Sequence, residues 1–243
     1  MIAIFPEICA ETDPCKVAQL ARQYFILRPH TVTPDLEAMV LRCGLKLSYQ
    51  HLDTQNTKAI LAVKDDKGRF EGAILIQETV SLEERPFLLT HCLGLYFLKT
   101  LPSIARGDFK TCGYKIIHSP LEHYIQQGFS DIDEQQASRF SSEILLPEDK
   151  VQRAFKKINN IESLASFFRV SPLCMERRVV ELGLTSASKH LSLKSTSSPA
   201  PRQLKMTVQR PAKQQQPSKQ QQSAASLQRI RALAQKIDQS VKT

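Results

Sequence analysis

Apolar residues recur at spacings of three and four near the start of the chain. In residues 14–28 these positions are Val17, Leu20, Ala21, Tyr24 and Leu27. This period predicts an amphipathic α-helix, with Asp13 as its N-cap and Pro14 at the first helical position. Residues 33–44, TPDLEAMVLRCG, predict a second helix that opens at Thr33-Pro34.

The pattern then changes to short apolar runs of the kind that form β-strands. These runs are LKLSYQHL (45–52), KAILAVKDD (58–66) and EGAILIQET (71–79). Between the last two lies Asp65-Asp66-Lys67-Gly68, a sequence favoured in hairpin turns. The chain therefore predicts a small β-sheet after the first two helices.

The helical pattern returns at Ser81. Ser81 and Glu84 have the spacing of a capping box, and residues 87–98 are apolar and long enough to form a buried helix. Glycine and proline interrupt residues 101–130, which we expect to be an insertion or loop.

Further helices are predicted in the second half of the chain. Residues 131–146 carry acidic residues near their start and end before Pro147, as a helix does. Residues 148–184 have room for two or three more helices. A small antiparallel or mixed sheet packed on helices places the chain in the α+β class.

The composition changes abruptly after Leu184. Residues 185–243 contain no aromatic residue, four prolines and two copies of Lys-Gln-Gln-Gln. Residues 185–226 contain too little apolar surface for its burial to offset the conformational entropy that the chain would lose on ordering. We therefore expect a disordered linker there. At the end of the chain, a 3-4-3-4 spacing predicts a short amphipathic helix over 227–241, formed on a partner or by self-association. Its apolar positions are Leu227, Ile230, Ala234, Ile237 and Val241.

The positive charge of the chain is confined to this tail, residues 185–243. The tail holds 11 Lys and Arg and one acid, a net charge of +10, while the whole chain is +9, so residues 1–184 are −1. We expect the tail to attract nucleic acid in a salt-sensitive and sequence-independent way. The alternative is that the tail is a solvated linker that binds no nucleic acid. The bases assigned to nucleic-acid contact are Lys205, Arg210, Lys213 and Lys219.

The cysteines and the N-terminus bear on the compartment. Six cysteines form no C-x-x-C pair and have mostly apolar neighbours, which favours reduced, buried thiols. The first residues lack the basic start of a signal peptide, and no apolar run approaches the roughly 18 residues that cross a bilayer. The sequence therefore predicts a cytoplasmic protein that does not bind or span a membrane.

One histidine in the predicted helix of residues 87–98 is a candidate metal ligand. Zinc peptidases place two histidines four residues apart on one helix, with a glutamate after the first as general base. Here the stretch reads His91-Cys92-Leu93-Gly94-Leu95. A lone histidine on an apolar helix is more often a satisfied core residue than a ligand. The residues by themselves favour that interpretation.

The surrounding pattern adds to this picture. Two helices and a hairpin precede the His91 helix, and the later helix follows an E-x-x-A-x-x-F-x-x-x-x-L-L-P spacing from Glu134 to Pro147. This arrangement resembles the ImmA/IrrE family of metallopeptidases over roughly residues 14–184. The resemblance implies a minimal zincin-like fold, with His91 as first and Glu134 as third zinc ligand. It also implies that Leu95 occupies the lost second ligand position and Cys92 that of the general base.

This substitution pattern predicts an inactive relative of the peptidases. Leu95 cannot bind metal, and Cys92 points about 100° away from His91 around the helix, so it cannot replace the missing ligand. Two protein ligands fall short of the three that a catalytic zinc site uses. We therefore expect no cofactor and no catalytic residue. Zinc would return only if the site were rebuilt, with His118 or His123 as the replacement ligand.

A second candidate unit lies in residues 161–184. Ser171 and Pro172 open its second helix after a turn, which is the form of a helix-turn-helix. If that helix read DNA, Arg177 and Arg178 on its exposed side would contact bases or phosphates. A plain αα-hairpin that closes the domain is the alternative.

These expectations divide the chain into four regions: a degenerate peptidase domain in residues 1–150, a helix-turn-helix-like segment in 151–184, a basic linker in 185–226 and a short helix in 227–241. The predicted function is that of a non-catalytic pseudopeptidase that binds a protein partner. The resemblance makes a transcriptional repressor the expected partner, because active members of the family recognise and cleave such repressors. An active zinc endopeptidase with a rebuilt site and a DNA-associated transcriptional regulator are the alternatives.

Overall fold

The structure is a computed structural model that describes residues 5–25, 33–52, 57–66, 69–107, 115–118 and 132–184. The described residues all lie within one compact unit, residues 1–188. The predicted linker 185–226 and helix 227–241 lie outside the described residues.

This compact unit alternates helices with a small group of strands. Its elements in chain order are α1 (Pro6–Ala10), α2 (Pro14–Phe25), α3 (Leu36–Arg42), β1 (Leu45–Gln50), β2 (Thr57–Asp66), β3 (Arg69–Gln77), α4 (Arg85–Leu95), a π-helical turn (Tyr96–Thr100), α5 (Leu101–Arg106), β4 (Lys115–His118), α6 (Ile132–Leu145), α7 (Glu148–Phe155), α8 (Ile161–Phe168) and α9 (Pro172–Glu181).

The described strands form one mixed sheet in the order β1-β3-β2-β4. Strand β1 pairs parallel to β3, while β2 pairs antiparallel to both β3 and β4. The α4 helix packs against β2 and β3 and, on its other side, against α6. The predicted α+β class is confirmed, and α4 is its central helix.

The boundaries of two helices differ from the sequence prediction. Helix α3 begins after Asp35, whose carboxylate accepts a hydrogen bond from the Ala38 backbone N–H at 3.0 Å, and not at Thr33-Pro34. The Asp35 carboxylate thereby satisfies one N–H group in the first turn of the helix. Helix α4 begins at Arg85, since the residues just after Ser81 form a turn.

The apolar helix also runs further than predicted. Residues 85–106 are continuously helical, because the π-helical turn joins α4 to α5. The N–H of Leu101 bonds to the carbonyl of Tyr96, five residues back. This wider turn lies just before Pro102, whose ring cannot fit against the carbonyl of a regular α-helix. The start of the expected loop, residues 101–106, is therefore helix.

By length and composition alone, Arg85–Arg106 could cross a membrane, contrary to the prediction that no run is long enough. The structure gives this stretch another role, because 78% of its most apolar window is buried inside the domain. All residues from Phe87 to Leu95 are buried. A helix covered on every side is the core helix of a globular fold.

Candidate functional site

The site is built where α4 crosses α6. At Gly94, a Cβ atom would lie only 2.9 Å from the backbone oxygen of Ala137 and 3.1 Å from the Phe140 ring. Glycine on one helix and alanine on the other therefore let the two backbones approach closely. This close packing brings the side chain of His91, one turn before Gly94, within reach of α6.

His91 is fully buried, and both of its ring nitrogens have partners on α6. Its Nε2 lies 2.7 Å from Oε2 of Glu134, and its Nδ1 lies 3.2 Å from Oγ of Ser138. Glu134 and Ser138 are four residues apart and so share one face of α6. With Nε2–H donating to the carboxylate, the Ser138 hydroxyl donates to Nδ1, and the imidazole is satisfied.

This geometry does not fit a tetrahedral zinc. Two ligands on one zinc ion stand about 3.4 Å apart, because each zinc–ligand bond is roughly 2.1 Å long. His91 and Glu134 are hydrogen-bonded at 2.7 Å, so no ion fits between them without a rearrangement. Within the described ranges, no three His, Cys, Asp or Glu side chains are grouped as a metal site.

Leu95 and Cys92, the two substituted positions, are both part of the hydrophobic core. Leu95 lies one turn after His91 on the same helix and is 1% exposed. Cys92 is fully buried, and burial, followed by the negative charge of Glu134, raises the pKa of its thiol far above the ordinary value. A thiol that stays protonated and never reaches solvent is not a nucleophile.

The hydrogen bonds also link Ser138, His91 and Glu134 in a chain like that of a serine hydrolase. The solvent exposure of the three side chains is the reverse of what that chemistry requires. Ser138 is 1% exposed and His91 is fully buried, whereas Glu134 is 25% exposed. The only member that reaches solvent is the carboxylate, so the serine cannot attack a substrate. The trio is a structural network.

The replacement ligands considered for a rebuilt zinc site are not tested by these contacts. His118 ends β4, the strand next to β2, but the side chains of β4 lie outside the described part of the chain. His123 also lies outside the described residues. Rescue of the metal site therefore stays an alternative.

The opposite face of α6 carries a different set of charges. Glu143 is nine positions after Glu134, which places it half a turn further around the helix. It lines a groove of about 780 Å³ together with Cys15, Gln19 and Arg22 of α2. In this groove Arg22 donates to the backbone oxygen of Ile144.

The groove also contains Arg178, which was predicted to lie on an exposed DNA-reading face. That prediction is wrong, because Arg178 is 3% exposed. Its guanidinium pairs with Glu143, donates to the Leu146 carbonyl at 2.9 Å and lies 3.1 Å from Glu181. Spacing alone could not show this, because Arg178 points inward beside Met175 and Val179. Its role is to hold α9 against the end of α6.

Arg177, the other predicted DNA contact, is half-buried. Burial lowers the pKa of its guanidinium to about 10, although the nearby Glu181 carboxylate acts in the opposite direction. The exposed charged residues of α9 are Glu176 and Glu181. Helices α8 and α9 are joined by a short turn, and the Ser171 side chain accepts a hydrogen bond from the Cys174 N–H, as predicted for the start of the second helix. The predicted contacts Lys205, Arg210, Lys213 and Lys219 lie outside the described residues.

The structure therefore brings together the predicted pair His91 and Glu134 and adds Ser138, which the sequence analysis missed. A signal existed, since Ser138 is one helical turn after Glu134 and so lies on the same face of a predicted helix. The contact of Gly94 with Ala137 was also missed, and it depends on how two distant segments pack.

Comparison with known protein families identifies one match. Residues 41–180, more than half of the 243-residue chain, match the model of a peptidase family described as the IrrE N-terminal-like domain. The match includes α4, α6 and nearly all of the α8–α9 hairpin. A search of curated proteins finds no match to the chain.

Proposed function

The chain belongs to the IrrE N-terminal-like peptidase family, and from this premise we propose that it is a non-catalytic member that acts by binding a protein partner. The observation that carries the proposal is the hydrogen bond between His91 and Glu134 at 2.7 Å. The two remaining ligand-type side chains bind each other where a peptidase would hold a metal between them.

The residues around this pair support the same conclusion. Leu95 supplies a hydrocarbon side chain where the second ligand would be, and Cys92 is buried in the core. A peptidase needs an open coordination position for water and substrate. A buried histidine bonded on both ring nitrogens offers neither an open position nor a base that can take a proton from water.

The expected partner class comes from the resemblance described above. Active ImmA/IrrE relatives recognise transcriptional repressors, and a member that lost its metal ligand retains a domain of the same fold. We propose that this chain engages such a repressor without cleaving it. Photo-crosslinking in the native host, followed by mass spectrometry, identifies the partner. We expect an intact repressor to be crosslinked, and a cleaved repressor would contradict the proposal.

The metal content of the purified protein tests the non-catalytic assignment. We expect less than one zinc per chain by elemental mass spectrometry, and the same content in the His91→Ala variant. One zinc per chain that disappears with His91→Ala would overturn the proposal. In that case His118→Ala and His123→Ala, each measured in the same way, identify the replacement ligand of an active zinc endopeptidase.

A further inference from the structure

Strand β1 lies at one edge of the sheet. It pairs in parallel register with β3, from Leu45 opposite Gly72 to Gln50 opposite Gln77. No other strand in the described part of the chain pairs with it. Residues 46–50 of β1 are exposed or partly exposed, whereas residues 73–76 of the adjacent β3 are all buried. The side of β1 away from β3 therefore reaches solvent.

The backbone groups of β1 point alternately towards β3 and away from it. The N–H of Glu78 donates to the carbonyl of Gln50 at 3.1 Å, so the backbone groups of Gln50 face β3. Successive residues of a strand direct their N–H and C=O groups to opposite sides, so those of Ser48 also face β3 and those of Leu47 and Tyr49 face away. Within the described ranges, no residue bonds to these groups of Leu47 and Tyr49. We call them the open edge of β1, since an incoming strand can bond to them.

The side chain of Tyr49 holds this edge in place. Its hydroxyl donates to Glu37 of α3 at 2.6 Å, and the guanidinium of Arg85 lies 4.7 Å from the centre of its ring. Arg85 in turn donates to the backbone carbonyls of Glu78 and Val80. The open edge is therefore organised before a partner binds, and less conformational entropy is lost on binding.

The apolar side chains of β1 indicate one face of a matching strand. Leu47 and Tyr49 pack against the hydrophobic core and are only partly buried. Side chains directly opposite each other on neighbouring strands lie on the same face of a sheet. Apolar residues opposite Leu47 and Tyr49 would therefore extend the core beyond β1.

The charge of β1 indicates the other face. Lys46 is exposed, and none of the described carboxylates pairs with it; Glu71, on the same face of β3, forms no ion pair with Lys46. The charges at the far end of the strand are engaged, since Tyr49 binds Glu37 and Arg85. An acidic residue opposite Lys46 would pair with it across the two strands, which adds modestly to affinity.

A second copy of this chain matches the open edge less well. Two antiparallel copies of β1 that use all of the open groups would place Leu47 opposite Tyr49 of the other copy and Lys46 opposite its Gln50. Lys46 would then still lack a carboxylate. A strand with an acidic residue at that position satisfies both the backbone groups and the charge.

We propose that the open edge of β1 is a strand-addition site for an extended segment of a protein partner, apolar opposite Leu47 and Tyr49 and acidic opposite Lys46. In antiparallel pairing the segment bonds to both backbone groups of Leu47 and both of Tyr49. The proposal rests on the proposed function and deepens it, because it places the partner contact on β1 and away from His91.

Backbone methylation of a probe peptide tests the hydrogen bonds. The probe is a labelled eight-residue peptide that alternates valine with threonine, with one threonine replaced by glutamate, and its binding to the full-length chain is followed by fluorescence anisotropy. We expect N-methylation of two valines, whose N–H groups face β1, to weaken binding by about tenfold or more, because each loses a main-chain hydrogen bond. N-methylation of two threonines, whose N–H groups face away, is the matched control and should change binding by less than about twofold. No binding, or any result in which the valine positions are not the more sensitive, would overturn the proposal.

Variants of the chain locate the site on β1. We expect the parent to bind the glutamate peptide about twofold to fivefold more tightly than the same peptide with lysine there, and Lys46→Glu to reverse this preference. Lys157→Glu, at an exposed position after α7, is the matched control and should keep the parent's preference. Leu47→Pro removes one open N–H but no bond to β3, so it should weaken both peptides. An unchanged preference in Lys46→Glu would overturn the assignment to β1.

Sedimentation equilibrium of the parent and of Leu47→Pro tests the other occupant. We expect a monomer in both, and a parent dimer that Leu47→Pro abolishes would assign the open edge to a second copy and overturn the proposal. The proposed function fails separately. Less than one zinc per chain without peptide binding removes this site and leaves the pseudopeptidase assignment, whereas one zinc per chain with intact peptide binding does the reverse.

Discussion

His91 shows how neighbouring side chains can satisfy a fully buried imidazole. In this fold its two ring nitrogens bond to Glu134 and Ser138, so the cost of burying the imidazole is offset by hydrogen bonds. Removing the Glu134 carboxylate would leave a buried N–H without an acceptor, at a cost of about 1–3 kcal/mol. The pair is retained as a stabilising contact between α4 and α6.

A second prediction about single residues concerns the introduction of a zinc ligand at position 95. We expect Cys92→Glu combined with Leu95→His to bind zinc, because the new imidazole lies one turn from His91 on the face that meets Glu134. Binding requires the Glu134 carboxylate to move away from His91 to about 3.4 Å, the spacing of two ligands on zinc. The measurement is zinc per chain, with Glu134→Ala in the same background as control. A folded double variant without zinc would mean that the pocket has diverged.

Gly94 offers a test of the helix crossing. Glycine to alanine inside a helix ordinarily stabilises by up to about 1 kcal/mol. Here the added Cβ would lie 2.9 Å from the Ala137 carbonyl oxygen, a backbone atom that cannot give way cheaply. We therefore expect Gly94→Ala to lower the free energy of unfolding by about 1–3 kcal/mol. Urea denaturation checks this, with Ser166→Ala on the exposed face of α8 as control; an increase in stability at Gly94 would contradict the close approach.

At the scale of elements, the buried pair of Arg178 and Glu143 joins α9 to α6. Removing one partner leaves an uncompensated buried charge, so we expect Arg178→Met to cost about 3–5 kcal/mol of unfolding free energy. The double variant with Glu143→Leu should be more stable than Arg178→Met alone, because it removes both charges. Chemical denaturation of the singles and the double gives the coupling.

The chain contains a matched exposed pair for comparison. Arg153 and Asp149 pair four residues apart on α7, with side chains 70% and 65% exposed. We expect Arg153→Met to change stability by less than about 1 kcal/mol, because water already solvates both charges. Similar losses for Arg153→Met and Arg178→Met would mean that burial does not set the strength of the α9 attachment.

For the whole molecule, the separation of charge along the chain sets any nucleic-acid binding. Residues 1–184 are net −1 and the tail is +10. We expect duplex DNA binding to weaken steeply with salt and to vanish when the chain ends at Leu184. The measurement is binding of both forms to one duplex over a salt series. Full affinity with sequence preference in the shortened form would assign DNA binding to the α8–α9 hairpin after all.

The sequence by itself determined those elements whose apolar residues follow a regular helical or strand spacing. The helical repeat in α2 and α6 and the strand runs of the sheet were predictable, because local spacing fixes which side chains share a face. The positions of His91, Glu134 and Leu95 were likewise set by spacing, and so was the expectation that the metal site is incomplete.

Only the tertiary structure decided which groups meet. The boundary predicted at residue 150 falls inside α7, and Arg178 reaches back to Glu143 across 35 positions. The same fold buried an arginine assigned to DNA and joined His91 to Ser138. A one-dimensional pattern gives the faces of a helix, but which face is covered depends on the segments that pack against it, and these lie far away in the sequence.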